Sequence, residues 1–364
     1  MAESRFPHRF FPFLVATTLV TGCGDSNIDD TPPTPGVTAT AERDAASRVE
    51  RIEQLLSTLA ADSMEGRLTG TRGAHLAASF LAAELERYGV DPAGEDGHFQ
   101  PVPLARVGGA QGRLALPSPE LDFDTLPAEW ILEDEVNVVG IIPGHDPEVA
   151  NEFVVIGAHY DHVGIGTPVD GDSIYNGADD DGTGTVAVLE IARALVAGPA
   201  PRRTVVILLS TAEEQGLLGT WWYMQNPLVP LEQTVADFQI EMIGRPDSLA
   251  GGFGRGWLTG YERTTMGDQL SEAGSPIVPD PRPEMRFFFR SDNLPFAVEG
   301  IPAHTLSSYN MHADYHQPSD DVDRIDFRHM AALIDAAVEA VRFLADGPRP
   351  EWKENGREGL PDRP

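Results

Sequence analysis

The chain has one cysteine, Cys23, in 364 residues. No intrachain disulfide can form, and no cysteine-rich zinc site can be built. Basic residues are also scarce: 26 lysines and arginines stand against 57 aspartates and glutamates, a formal net charge of −31. Such a surface repels phosphate backbones and anionic headgroups, which argues against a nucleic-acid partner. Its plainest use is as a hydrated, soluble exterior. Hydrophobic residues make up 41% of the chain, enough for a large core, and the length suits one α/β domain with appendages.

The N-terminal apolar run, residues 10–20, is broken by Pro12 and two threonines. It is shorter than the ~20 apolar residues of a spanning helix. Arg5 and Arg9 precede it, and a basic stretch, a short apolar stretch and small residues before a cut describe a signal peptide over residues 1–22. The lone cysteine closes the run Leu19-Val20-Thr21-Gly22-Cys23, which resembles a bacterial lipobox. That resemblance implies lipidation of Cys23, a membrane anchor and an exported lipoprotein of the cell envelope. Gly24, where aspartate is the usual inner-membrane retention signal, leans towards the outer membrane. A plain secretory peptide and a buried apolar segment are the other readings. Residues 23–41, rich in Asp, Pro, Thr and Gly without an apolar period, read as a flexible tether.

Beyond the tether, Ile52, Leu55, Leu56 and Leu59 recur at helical spacing, so residues 45–60 form an amphipathic helix. Residues 74–87 form a second, stopped by Gly89. Apolar runs at 136–142, 153–158, 205–209, 235–242 and 301–306 read as strands, with helices at 185–196 and 327–344. Strands alternating with helices predict an α/β three-layer sandwich around a mixed, mostly parallel sheet. The globular domain spans 42–347, and the polar, proline-bearing residues 348–364 read as a frayed tail. No internal repeat is visible.

The reactive residues sit where such a sheet binds ligands, outside the carboxyl ends of its strands. His159 and Asp161 follow one strand, and their spacing in extended chain puts both on one side, as a ligand and an orienting carboxylate; a surface pair is the plainer reading. Asp179, Asp180 and Asp181 lie between glycines before a helix. They repel one another unless cations intervene, although aspartate is also a favoured helix cap. Glu213 and Glu214 follow another strand; adjacent side chains diverge, so one can bind a metal while its neighbour reaches a bound water. Glu241 ends a further strand, and His316 lies in a polar loop. Histidine and carboxylate together form a donor set that zinc accepts, as do cobalt and manganese.

The motifs Gly157-Ala-His-Tyr-Asp161, Asn176-Gly-Ala-Asp-Asp-Asp-Gly182, Ala212-Glu-Glu-Gln-Gly-Leu-Leu-Gly219, Ile240-Glu-Met-Ile-Gly244 and Tyr315-His-Gln-Pro-Ser-Asp320 occur in this order. Together they resemble the M28 family of zinc metallopeptidases, in its bacterial leucyl-type aminopeptidase group, over residues 45–346. The resemblance implies two Zn2+ ions: His159 and Glu241 on one, Glu214 and His316 on the other, Asp180 bridging. It implies Asp161 orienting His159, Glu213 as general base, and peptides with a free N-terminus as substrates. Tyr309, His312 and Tyr315 are candidates to hold the substrate oxyanion. A glutaminyl cyclase, a carboxypeptidase-type relative and a non-catalytic peptide-binding lipoprotein are the alternatives.

Two residues depart from the family pattern. Glu241 stands where most members have aspartate, and it is one methylene longer. Asn293, in Ser291-Asp-Asn-Leu-Pro-Phe296, stands where a histidine is usual, which alters the pocket and not the metal count. Residues 100–137 are too few for the protease-associated domain that many relatives insert nearby. His75, His98, His145 and His329 read as surface residues, His162 and His304 lie near the motifs without a role, and Trp221 and Trp222 read as helix packing.

Overall fold

The continuous apolar runs become the middle of a nine-stranded sheet in the computed structural model, which describes residues 35–363 except 110, 111 and 133. Its strands are β1 (Asp91–Pro92), β2 (Phe99–Pro101), β3 (Val136–Ile142), β4 (Phe153–His159), β5 (Thr204–Ser210), β6 (Thr234–Ile240), β7 (Gly256–Leu258), β8 (Ile277–Pro279) and β9 (Ala303–Ser307). They lie in the order β1-β3-β5-β4-β6-β9-β7-β8, with β2 beside β3. The central four, β5, β4, β6 and β9, are parallel, and β3 and β7 flank them antiparallel. Strands β4, β5 and β6 are buried along almost their whole length, which a parallel sheet covered on both faces requires.

The helices are α1 (Pro35–Leu59), α2 (Arg72–Tyr88), α3 (Gly184–Ala197), α4 (Leu218–Gln225), α5 (Met266–Glu272), α6 (Asn293–Glu299) and α7 (Phe327–Asp346). Alternation along the strands splits the core into two layers. Ile156, Ile207 and Phe238 face Leu56 of α1, Leu81 of α2, Leu189 of α3 and Leu333 of α7. Val155, Val206 and Leu208 face Tyr223 of α4 and Phe296 of α6. Each such aliphatic or aromatic side chain contributes about 1.5–3 kcal/mol by leaving water. The expected three-layer α/β sandwich with a mostly parallel sheet is therefore what the chain forms.

The leader and Cys23 lie outside the described residues. Helix α1 starts at Pro35, ahead of the expected residue 45, and takes in the end of the stretch read as a tether. Residues 100–137 hold a small three-stranded sheet of Leu104–Val107, Arg113–Ala115 and Ile131–Leu132.

Two surface assignments are corrected. His98 is buried and donates from Nδ1 to the Val139 carbonyl, 2.8 Å away. His329 is buried too, accepting from the Gly254 N–H at Nδ1 and lying 3.1 Å from Ser308 Oγ. The C-terminal stretch is not frayed either: Trp352 Nε1 donates to the Gly300 carbonyl, Arg357 to the Val298 carbonyl, and Arg263 to the Gly356 carbonyl. An indole and paired backbone groups, missed in a polar reading, dock it beside α6.

Candidate metal centre

The carboxyl ends of four adjacent parallel strands converge on one cleft. β4 ends on His159, and Asp161 follows it. β5 ends three residues before Glu213, and β6 ends one residue before Glu241. The loop after β9 carries Tyr309, Tyr315 and His316. Asp180 comes from the turn Ala178–Thr183 that leads into α3. The backbone is left-handed at Ala212, Met242 and His316, with φ of 56°, 49° and 53°. Each such residue costs of the order of 1–3 kcal/mol, and this strain gathers at functional turns. Here it aims the neighbouring acidic and imidazole groups inward.

The Asp180 carboxylate lies between two imidazoles. Its Oδ1 is 3.4 Å from His159 Nε2, and its Oδ2 is 3.1 Å from His316 Nε2. Glu214 Oε1 is 3.0 Å from the same His316 nitrogen. Glu213 Oε2 is 3.9 Å from His159 Nε2. Among the described residues two donor groups have ligand atoms within 4.8 Å of one another: His162, Asp180, Glu214 and His316, and separately His159, Glu213 and Glu241.

Neutralisation is built in unevenly. Burial opposes the charged form of Asp180, but His159 and His316 outweigh it and hold its pKa well below the carboxylate range. Burial likewise opposes charge on His316, yet Asp180 and Glu214 push its pKa up to about 10. Burial raises Glu241 to about 7 despite the opposing charge of His159 and a hydrogen bond from Ser291. Burial also lifts Glu213 well above the ordinary range, opposed by His159 and reinforced by Glu241 and Asp292.

The surroundings fix each donor. His159 Nδ1 donates to the Asp161 backbone carbonyl at 3.2 Å, which leaves Nε2 as the lone-pair atom facing the cleft. The Asp161 carboxylate, expected to orient His159, is 3.7 Å from that nitrogen. It accepts instead from the N–H groups of Glu213 at 3.0 Å and Glu214 at 3.4 Å. Its backbone thus steers the histidine and its side chain steers the two glutamates. Asp320 accepts from the N–H groups of Asp179 and Asp180. Asp181 accepts from those of Gly184 and Met242, and Asp179 from that of Gly244. The flanking aspartates thus tie the turn to α3 and to the chain after β6, and only Asp180 faces both histidines.

Tyr309 and Tyr315 line the cleft, and Tyr315 stacks on His316 with ring centroids 3.9 Å apart. His312 does not join them: its Nε2 is 3.0 Å from Asp179 Oδ2, so a carboxylate outside the cleft claims it. Asn293 is buried, donates to the Phe288 carbonyl and accepts from Thr305 Oγ1, which fixes the cleft wall. Trp221 packs beside α6 and Trp222 beside Leu114 and Ala212, neither in this cleft.

Two residues went unassigned in the sequence. His162, fully buried, places Nδ1 3.0 Å from Glu214 Oε1. Its only sequence signal is its position directly after Asp161. Arg67, also fully buried, donates to the carbonyls of Leu59, Tyr160, Asn176 and Gly177. It clamps the strand end after β4 to the turn that presents Asp180, and no side-chain pattern announces a partner set made of carbonyls.

The donors fit a metal on the structure's own terms. Asp180 Oδ2 and His316 Nε2 are buried, close, and without a hydrogen bond, as two lone pairs directed at a shared cation would be. Four carboxylates gather at a buried strand end, with imidazoles beside Asp180, Glu213 and Glu214, a cluster that a cation would offset, and imidazole with carboxylate is a zinc-type donor set.

A sequence model of peptidase family M28 matches residues 137–341. The chain belongs to this family. A probable leucine aminopeptidase 2 of Aspergillus fumigatus is 27% identical over 259 residues, 68% of this chain and 45% of that one. A leucine aminopeptidase 1 of Fusarium vanettenii is 40% identical over 111 residues, 28% of this chain and 25% of that one. The chain thus spans less than half the length of these relatives. Among solved structures, the LapA aminopeptidase of Legionella pneumophila superposes with a TM-score of 0.57 at 20% identity, covering 92% of this chain and 81% of that one. BSAP, a zinc aminopeptidase from Bacillus subtilis, gives 0.57 at 15% identity, covering 84% and 96%. A glutaminyl cyclase of Porphyromonas gingivalis gives 0.57 at 17% identity, covering 80% and 97%. At these identities the likeness is one of fold, and it is shared by both kinds of enzyme.

Proposed function

We propose that this M28 protein is a two-zinc aminopeptidase that releases residues from the free N-termini of peptides. The observation that carries the reading is Asp180 with one carboxylate oxygen towards each of two histidines, His159 and His316. His159, Glu241 and Asp180 would hold one ion, and Asp180, Glu214 and His316 the other. Bound zinc supplies Lewis acidity, polarising a carbonyl and acidifying water.

The chain's own residues do the rest. Glu213 takes a proton from the attacking water at its carboxylate and passes it to the leaving amine nitrogen. Burial raises its pKa, the direction that favours a carboxyl group holding the proton it must pass on. Asp161 holds the Glu213 and Glu214 N–H groups, so that the base and its neighbouring ligand keep their separate directions. Tyr309 and Tyr315, on the cleft wall, would donate to the developing oxyanion.

The family match and the leucine aminopeptidases among its relatives support this reading. The test is digestion of a peptide library with free and blocked N-termini, with zinc per chain measured by elemental analysis. Loss of residues from free N-termini alone, at two zinc per chain, is expected. Cleavage of blocked peptides, or one zinc with N-terminal glutamine cyclised, refutes it. The leader extends the reading to an exported, Cys23-anchored lipoprotein of the cell envelope. Palmitate labelling that survives in Cys23→Ser refutes that part.

A further inference from the structure

The loop from Pro281 to Ser291 carries three arginines, Arg282, Arg286 and Arg290, in a chain with only 26 basic residues. Two have other employment. Arg282 makes a two-pronged pair with Asp247, at 2.6 and 3.0 Å, and Arg286 lies over the Phe289 ring, 4.5 Å from its centroid. Arg290 lines the same cleft as Asp180, Glu213 and Glu241, and it is the only arginine or lysine among the lining residues. Its guanidinium lies over the Phe287 ring, 5.3 Å from the centroid, and Phe287 is itself a buried part of the cleft wall. Among the described residues, Arg245 is bound to Asp314 and Asp320, whereas Arg290 has no carboxylate within ion-pair distance.

Charge balance gives this arginine a use. Among the residues that line the cleft, four carboxylates, Asp180, Glu213, Glu214 and Glu241, would offset two divalent ions, which leaves Arg290 as the one lining charge without a counterpart. A guanidinium braced by a ring and lacking an acid presents a planar fork of donors shaped for a carboxylate. We infer that Arg290 is a specificity residue that binds a carboxylate carried by the substrate, so that the preferred peptides are acidic near the bond that is cut. The inference rests on the two-zinc peptidase reading. The carboxylate has two sources: the side chain of a released glutamate or aspartate, or the free C-terminus of a dipeptide.

Two matched pairs separate them: the p-nitroanilides of glutamate and glutamine, and Leu-Gly with Leu-Gly-amide. kcat/KM is measured on the zinc-loaded protein. In at least one pair the carboxylate member is favoured roughly tenfold to hundredfold, as for a hydrogen-bonded charge, and that pair identifies the source. Arg290→Ala brings this ratio to near one, Arg290→Glu takes it below one, and Arg290→Lys keeps part of it. Ratios near one in both pairs for the wild type, or a ratio that survives Arg290→Ala, overturn the assignment while leaving the peptidase reading standing. Turnover of no substrate overturns the peptidase reading, and the assignment with it.

Discussion

Acid should weaken this fold through a histidine that never meets the substrate. His304 lies in β9, fully buried, one residue before Thr305, which joins the chain of hydrogen bonds through Ser291 to Glu241. Its Nδ1 donates to the Thr259 carbonyl at 2.6 Å, and its Nε2 accepts from Thr264 Oγ1 at 2.6 Å. That pairing suits the neutral ring. Burial lowers its pKa to about 4, with Arg263 and Lys353 adding to the effect and the Thr259 hydrogen bond opposing it. The unfolded chain binds the proton near the ordinary value of ~6.5. Between those two values the unfolded state holds more protons, so stability falls as pH drops. The contribution is fully present above ~6.5 and, at the folded pKa of about 4, has lost roughly 3 kcal/mol. Urea unfolding of the wild type and His304→Gln, from pH 7 to pH 4, isolates the effect, because acid-driven changes shared by both proteins cancel in the difference. The wild type should lose about 3 kcal/mol more than the variant. Parallel curves would show that His304 is not held neutral and that the assigned hydrogen-bond directions are wrong.

Glu213→Gln should leave zinc content unchanged and lower kcat by roughly 10²–10⁴, the usual worth of a general base; full turnover in the variant removes Glu213 from that role. His162→Ala should weaken zinc binding at the Glu214–His316 group roughly 10–100-fold, as loss of an outer partner does. Chelator competition measures it, and unchanged affinity would mean that His162 only packs. Arg67→Met removes a donor from four buried carbonyls; that of Gly177 keeps the Gly182 N–H, and those of Leu59, Tyr160 and Asn176 are each worth about 1–3 kcal/mol when left unpaired. The unfolding free energy from urea titration should therefore fall by several kcal/mol, and a change below about 1 kcal/mol would show that water replaces the guanidinium.

The fold was legible where burial is extreme. Strands β4, β5 and β6 are covered on both faces, so their apolar runs are unbroken and need no partner to be read. The long helices α2 and α7 announce themselves by spacing. The pieces that escaped are short: β1, β2, β7 and β8 have two or three residues each, and α4, α5 and α6 seven or eight. Such lengths do not complete a period that a sequence can display. Their positions come from the strands and helices they pack against. The docking of the C-terminal residues escaped for a related reason, since carbonyls of α6 and of the tail itself hold it, and carbonyls are the same at every residue.

The centre was legible as a set of residue types at strand ends, but not as a division of labour. Asp179, Asp180 and Asp181 are chemically identical, and only the M28 resemblance singled out the middle one. In the fold the distinction is geometric. Successive side chains diverge, so Asp179 reaches the Gly244 N–H, Asp181 reaches the Met242 N–H, and Asp180 is left between His159 and His316. The outer two are therefore not spare ligands. They fasten the turn to the chain after β6, the strand that delivers Glu241, so Asp180 and Glu241 are positioned by one set of hydrogen bonds. Glutamate in place of aspartate at 241 then has a local explanation: Ser291 donates to its Oε1 at 2.6 Å, anchoring the longer side chain to the segment that begins α6. The same segment follows directly on Arg290. Glu241 is thus tied to the loop that carries Arg290, so the proposed ligand and the proposed specificity residue would be expected to vary together.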